Sequence, residues 1–449
     1  MGVSGASAKA GYSTAGPQDP YTYQVGFGNS FASEAIPGVL PVGQNSPQKC
    51  KYELYAEGPS VSHDGFTNPP QNPDLESDFS PRNPKVHITP TQVAWKPFDI
   101  PSGDKKVDFI EGIKTMAGTG GAVAHEGLAS HVYVANSSME KKAFVNSDGD
   151  MLIIPQQGRL DIQTELGRLF ASPGEIVVVQ SGIKFKVALP DGPSRGYIQE
   201  LYGAHYELPE LGPLGANGMA NVRDFEHPVA NFDVDQSNWE VVYKIAGETF
   251  TCHQDHTPFD VVAWHGNYVP YKYALEKFIT AGSITRDHTD PSIFCVLTAK
   301  SKTPGIPLVD FCVLGPRWDV ASHTFRPPYF HRNCATELIG FIKGDITSRA
   351  DSWKAGGLSY HTNFCPHGVT ATDHTRGTEM ELVPMWVGEG VYVWLVETAC
   401  TLMVTEFALQ NKGFHEQDVG LWKGLGPKFL NHLEEANADL KAAGLAPLS

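Results

Sequence analysis

The 449-residue sequence lacks the features that mark nucleic-acid-binding and membrane proteins. It has no cluster of five or six lysines and arginines, and its formal net charge is −16, so a positive binding surface for nucleic acid or anionic lipid is not expected. No run approaches the roughly 18 apolar residues of a membrane span, and the N-terminus has no charged segment followed by an apolar core. These absences predict a cytoplasmic protein that acts on a small molecule, with no nucleic acid and no membrane as partner.

Cysteine is also scarce, and no two cysteines form a CxxC pair. An odd number of widely scattered cysteines indicates free thiols in a reducing compartment. The seven residues are Cys50, Cys252, Cys295, Cys312, Cys334, Cys365 and Cys400.

Helix-forming patterns are few, whereas 45 glycines and 33 prolines divide the chain into short runs rich in Val, Ile, Tyr and Phe. Residues 150–189 show this most clearly, because Gly158, Gly167, Gly174 and Gly182 interrupt the apolar runs about every eight residues. That spacing is typical of a β-sandwich or β-barrel. Residues 16–82 have little periodicity and predict an extended segment, and residues 427–444 predict a helix with Pro427 at its first position and Gly444 at its end.

A histidine and a carboxylate, His331 and Glu337, stand six residues apart in "FHRNCATELIGFI". In one strand their side chains would lie about 20 Å apart, and in one helix they would point in different directions. A shared ion therefore requires the chain to fold back between them. The polar "RNCAT" predicts that loop, and Glu337 then begins a strand with its side chain facing inward.

A third ligand is available in "GGLSYHTNFCPHG", which contains His361 and His367. Two histidines and one carboxylate leave open positions on an octahedral ion, as in the facial triad of non-haem Fe(II) oxygenases. Cys334 and Cys365 raise the alternative of a Cys2His2 zinc site with His331 and His367. Strand alternation disfavours that set, because each cysteine lies two or three residues from its histidine.

The order His, loop, Glu, and then Pro-His-Gly about 30 residues later resembles the two metal-binding motifs of cupin barrels. Residues 148–189 resemble the same pair of motifs, but Phe185 stands in the position of a ligand histidine. The resemblance implies a mostly β protein of two cupin-like β-barrel or sandwich domains with few helices. We expect a metal-free structural domain over 1–280, which includes the extended N-terminal segment, and a catalytic domain over 281–449 with a C-terminal helix.

Longer segments, among them "YTYQVGFGNSFASEAIPGVLPVGQNSPQKCKYELYAEG", "QDHTPFDVVAWHGNYVPYKY" and "FRPPYFHRNCATELIG", resemble the homogentisate 1,2-dioxygenase family from about residue 20 to residue 415. The resemblance implies an Fe(II) enzyme that opens homogentisate with O2 to give maleylacetoacetate in tyrosine and phenylalanine catabolism. It also implies a homo-hexamer built as a dimer of trimers.

The same resemblance assigns roles to individual residues. The family's iron ligands fall on His331, Glu337 and His367, and its acid/base histidine falls on His288. His361 lines the pocket, where it would hydrogen-bond the ring hydroxyl or bound oxygen, and the substrate-binding positions are His361, His367, Ile346 and Arg349.

The sequence departs from the family beside this site. Ile346 replaces a tyrosine that helps to hold the substrate carboxylate, and Arg349 is a candidate replacement because a guanidinium pairs well with a carboxylate. The alternative is a paralogue that opens the ring of a different hydroquinone in specialised metabolism. Two further alternatives are a non-catalytic bicupin binding protein and a zinc or manganese isomerase.

Overall fold

The computed structural model of the chain describes residues 21–25, 27, 54–55, 58, 61–210, 220–263, 268–280, 291–318, 330–345, 351–381 and 383–448. Within these ranges the chain is mostly β, with three α-helices and several short 3-10 turns. The predicted mostly β fold class is confirmed.

The strands and helices are numbered in chain order. Before residue 280 the strands are β1 (Tyr23–Val25), β2 (Leu54–Tyr55), β3 (Val86–His87), β4 (Val93–Trp95), β5 (Ile113–Gly121), β6 (Glu126–Ala135), β7 (Lys142–Asn146), β8 (Gly149–Gln157), β9 (Leu160–Thr164), β10 (Gly167–Ala171), β11 (Glu175–Val179), β12 (Lys184–Ala188), β13 (Ser194–Tyr202), β14 (Phe225–Pro228), β15 (Trp239–Ile245), β16 (Glu248–Gln254), β17 (Val261–Ala263) and β18 (Tyr271–Ala274). After it they are β19 (Cys295–Lys300), β20 (Pro307–Leu314), β21 (Arg317–Trp318), β22 (Thr336–Lys343), β23 (Leu358–His361), β24 (Trp386–Val387), β25 (Tyr392–Thr398), β26 (Met403–Thr405) and β27 (Phe414–Glu416). The helices are α1 (Ala371–Glu379), α2 (Glu406–Gln410) and α3 (Leu433–Ala442).

Two large sheets and the short β17-β2 pair make up the described strands of the N-terminal half. The larger has the order β1-β14-β18-β11-β8-β13-β6-β5-β26-β3, and the smaller has the order β10-β9-β12-β7-β15-β16. Their facing side chains make one apolar core, which includes Ile153, Val177 and Ile198 from the larger sheet and Phe144, Ile162 and Phe185 from the smaller. The strands predicted over 150–189 are confirmed as β8 to β12, and the four glycines between or at the start of them all have positive φ.

Phe185 lies in this core, in the position where the cupin motif would place a histidine. Its side chain is buried and contacts the rings of Phe144 and Phe109 edge to face, with centroids 5.5 and 6.2 Å away. Aromatic packing therefore occupies this part of the N-terminal sandwich. Among the described residues, the candidate metal-binding group lies in the C-terminal half instead.

The C-terminal sheet has the order β19-β20-β25-β22-β23-β4-β27 and two different faces. One face packs against the large N-terminal sheet, so that Leu338 and Val396 share a core with Leu152 and Tyr197. Successive side chains of a strand point to opposite faces, so Glu337 points away from this core. The sheet thus presents the predicted ligand on the face opposite to this core.

The two halves exchange strands and share buried hydrogen bonds. Strand β4 pairs with β23 and β27 of the C-terminal sheet, whereas β26 pairs with β3 and β5 of the large N-terminal sheet. The buried Tyr197 hydroxyl lies 3.1 Å from the Phe341 carbonyl oxygen and 2.8 Å from that of Gly357, and both carbonyls accept from it. The division into domains 1–280 and 281–449 stays a prediction, because the large N-terminal sheet includes β26 and the C-terminal sheet includes β4.

The predicted C-terminal helix is present but begins later than expected. Residues Lys428–His432 form a 3-10 turn, and α3 follows from Leu433. Because a 3-10 turn has three residues per turn, Phe429 and Leu430 do not align with the later apolar positions, and both side chains are more than half exposed. Within the described ranges, no helix is long and apolar enough to cross a membrane.

Candidate metal centre

Two backbone hydrogen bonds connect the loops that carry His331 and His367. The His331 N–H donates to the His367 carbonyl at 3.0 Å, and the His367 N–H donates to the His331 carbonyl at 2.9 Å. The chain therefore folds back after His331, as the polar loop predicted.

Close packing next to this junction explains the glycine at 368. A Cβ atom there would lie 2.5 Å from Cδ1 of Phe330, so no larger residue fits without movement of the loop. The Phe330 ring also stacks on His374 of α1, with centroids 5.5 Å apart. Helix α1 and the two histidine loops thus form one packed unit.

Glu337 is the second residue of β22, near the start of the strand as expected, and its side chain lies on the face opposite to the shared core. Its cross-strand partner is His361, the last residue of β23, so both side chains point to the same face. Glu337 is only 6% exposed, and a carboxylate this deeply buried requires a cation or hydrogen-bond donors.

Three imidazoles surround this carboxylate. Oε1 of Glu337 lies 3.1 Å from Nε2 of His367 and 3.6 Å from Nε2 of His331, and Oε2 lies 3.6 Å from Nδ1 of His361. Burial favours the neutral carboxyl, but the three neighbouring imidazoles outweigh burial and hold the pKa of Glu337 well below its usual range. The carboxylate is therefore charged at neutral pH.

The ring of His367 has a fixed orientation that bears on metal binding. Nδ1 lies 3.0 Å from the Cys365 carbonyl oxygen, which can only accept, so Nδ1 carries a proton. In the neutral ring Nε2 then presents a lone pair to the carboxylate oxygen of Glu337. Both atoms are hydrogen-bond acceptors, so a proton or a cation must lie between them for the contact to be favourable. A divalent ion between His331, Glu337 and His367 satisfies all three, and their ligand atoms lie within 4.8 Å of one another.

His361 occupies a different place from the other two histidines. Its Nδ1 faces the second oxygen of Glu337, its Nε2 lies 3.2 Å from the Ser359 hydroxyl, and it is not a member of the group of three. The structure thus groups His367, rather than His361, with His331 and Glu337. His361 borders the site, 4.6 Å from His367 between ring centroids.

The remaining predicted residues divide into two sets. His288, Ile346 and Arg349 lie outside the described residues. Cys334 and Cys365 are described, but the group of neighbouring ligand atoms found among the described residues includes neither. The Cys2His2 alternative therefore receives no support from the geometry.

Asn333 contacts the site and was not among the predicted residues. Its Nδ2 donates to Oε1 of Glu337 at 2.7 Å. The sequence contains only a weak signal for this contact, which is an amide in the loop four residues before the carboxylate.

The chain is similar to known proteins along most of its length. Family models described as homogentisate 1,2-dioxygenase N-terminal and C-terminal match residues 22–77 and 58–275, and residues 276–429, respectively. Curated relatives named homogentisate 1,2-dioxygenase include those of Arabidopsis thaliana (45% identical; 91% of this chain, 93% of that protein), Drosophila melanogaster (46%; 86% and 93%) and Homo sapiens (43%; 86% and 92%). Among solved structures, a cupin 2 conserved barrel domain protein from Leptotrichia buccalis aligns with 66% of this chain and 91% of that chain at 7% identity and a TM-score of 0.27.

Proposed function

Because this chain belongs to the homogentisate 1,2-dioxygenase family, we propose that it is the ring-cleaving enzyme that converts homogentisate and O2 to maleylacetoacetate. The observation that carries the proposal is the buried Glu337 carboxylate between the Nε2 atoms of His331 and His367. This is a ligand set for a metal that must keep positions open for other ligands.

Iron(II) is the metal we assign to this group. Imidazole and carboxylate together suit Fe(II), and the absence of a thiolate from the group disfavours a structural zinc site. Three protein ligands would leave coordination positions to bring the substrate and O2 together, which is the chemistry that the ion would supply.

The residues around the group have separate tasks in this proposal. His331, with 39% of its side chain exposed, marks the open side of the site, whereas Glu337 and His367 are almost enclosed. His361, on the inner side, would hydrogen-bond a ring hydroxyl. His288 would accept and return the phenol proton, because an imidazole changes protonation near neutral pH.

Oxygen uptake tests the proposed function directly. The purified chain is loaded with Fe(II) without air, mixed with homogentisate, and exposed to O2 while maleylacetoacetate is followed by its absorbance. Uptake with ring opening that requires both iron and homogentisate is the expected result. O2 uptake only with other hydroquinones would instead support a paralogue with a different substrate. The absence of O2 uptake with every hydroquinone would contradict the proposal.

Two expectations about the whole protein accompany the assignment. The resemblance implies a homo-hexamer, which light scattering during size-exclusion chromatography would detect as six times the mass of 48.8 kDa. A cytoplasmic location, expected from the sequence, is tested by fractionation of the cells that produce the protein.

A further inference from the structure

Asn333 makes one hydrogen bond to the metal-binding group and two to the neighbouring backbone. Its Nδ2 donates to Oε1 of Glu337 at 2.7 Å, its Oδ1 accepts from the Ala335 N–H at 2.8 Å, and its carbonyl accepts from the Phe364 N–H at 2.8 Å. The residue therefore links the loop after His331, the carboxylate of Glu337 and the turn that precedes His367.

The orientation of the Asn333 amide is determined by these partners. The Ala335 N–H can only donate, so the side-chain oxygen must face it, and the NH2 group is then left for the carboxylate. An amide turned by 180° would place one donor against another and one acceptor against a carboxylate.

The contact falls on the oxygen that matters most for metal binding. Oε1 of Glu337 is the oxygen near both His331 and His367, whereas Oε2 faces His361. The terminal torsion of a glutamate is broad, so a carboxylate held only at its stem rotates readily. A donor that is itself fixed by the backbone restricts this rotation.

We propose that Asn333 is a positioning residue that fixes the carboxylate plane of Glu337 and keeps Oε1 directed between His331 and His367. The inference rests on the proposed function only in requiring that this group binds a divalent metal. Hydrogen-bond partners of metal ligands typically change metal affinity by about 10- to 100-fold when they are removed.

Substitution of Asn333 by serine or threonine removes the amide donor to Glu337 and keeps the acceptor for the Ala335 N–H. A hydroxyl in either variant still accepts from the Ala335 N–H but is too short to reach Glu337. Asn363→Ser is the matched control, because Asn363 lies in the neighbouring turn and its side chain accepts from Thr401 and Thr362. Co(II) is the probe, since its visible absorption reports the geometry of its ligands.

The measurements are Co(II) affinity by anaerobic titration, the Co(II) absorption spectrum, and the melting temperature of the metal-free full chain. We expect Asn333→Ser and Asn333→Thr to bind Co(II) about 10- to 100-fold more weakly with an altered spectrum, while the metal-free melting temperature stays near that of the wild type. Asn363→Ser should match the wild type in all three measurements.

Two results would overturn the proposal. The first is that both Asn333 variants keep the Co(II) affinity and spectrum of the wild type. The second is that Asn363→Ser loses as much Co(II) affinity as the Asn333 variants, because the effect would then come from the loops and not from the amide. The proposed function fails separately, if the wild type binds metal tightly but consumes no O2 with any hydroquinone.

Discussion

One carboxylate organises the site at the scale of single residues. Glu337 is the common neighbour of three imidazoles and one amide, and each of these comes from a different position along two loops and one strand. Because the carboxylate is buried, every neighbour that stabilises its charge also fixes its direction. Metal affinity is therefore the quantity most sensitive to single substitutions.

His367→Ala should abolish stoichiometric iron binding. The substitution removes a ligand whose Nε2 lies 3.1 Å from Glu337, and we expect affinity to fall by more than the roughly 100-fold typical of outer partners. Iron content after anaerobic loading and desalting measures the effect, with His87→Ala, an exposed histidine on β3, as the control. Full iron occupancy in His367→Ala would remove His367 from the ligand set.

At the scale of elements, β22 and its neighbours hold the site in register. Gly340 pairs with Trp394 of β25, and a Cβ atom at 340 would lie 2.3 Å from Cε2 of that buried indole. The indole in turn contacts Tyr197, with ring centroids 5.0 Å apart. A side chain at 340 would therefore push β22 away from Trp394 and Tyr197.

Gly340→Ala should lower the free energy of unfolding by about 1–3 kcal/mol, because the core cannot accommodate an added methyl group without strain. Urea unfolding of the metal-free chain measures the change. Gly426→Ala serves as the control, since a Cβ atom there meets nothing within 4 Å. Equal stability of the two variants would mean that the sheet relaxes around the added group.

Elements with strong patterns were predicted from the sequence, and short ones were not. The loop after His331 and the strand from Glu337 followed from polar and alternating residues, and β22 confirms them. Helix α1 was missed because its sequence, ATDHTRGTE, has no apolar stripe. Its one signal is Thr370 at the N-cap, whose hydroxyl accepts from the Asp373 N–H at 3.1 Å.

Contacts between distant segments were also missed, for a related reason. Strands β4 and β26 have three residues each, too few for any periodicity to reveal which sheet they join. The Asn333 amide leaves only the weak signal of its place in the loop, because its role depends on the direction of one side chain. Spacing and resemblance to a family indicated the candidate ligands, but only the structure shows their surroundings.

At the scale of the whole molecule, a buried ion network stabilises the half that has no candidate metal group among its described residues. Nζ of Lys244 lies 2.8 Å from Glu200 and 2.7 Å from Asp148, and His131 lies 3.1 Å from the other oxygen of Glu200. Burial favours the neutral carboxyl, but Lys244 and His131 outweigh it and lower the pKa of Glu200 from 4.5 to about 2. Because Glu200 takes up a proton at low pH, this network makes the free energy of unfolding depend on pH.

The sign of that dependence follows from linkage. A carboxyl with a lower pKa in the folded state contributes stability above pH 4.5, and this contribution is lost as the pH falls toward 2. Between these values the wild type should lose on the order of 3 kcal/mol more than Glu200→Gln, since the amide takes up no proton. Urea unfolding of metal-free protein at several pH values compares the two, and parallel curves would exclude this role of Glu200.

The exchange of β4 and β26 has a consequence for synthesis of the protein on the ribosome. Translation delivers β4 first, yet its partner β23 emerges roughly 260 residues later, and the large sheet lacks β26 until near the end of the chain. Neither half can complete its hydrogen-bonded sheet until the strand that the other half supplies has been made. Until then the unpaired edges of β4 and β5 stay open, and chaperones are suited to cover them.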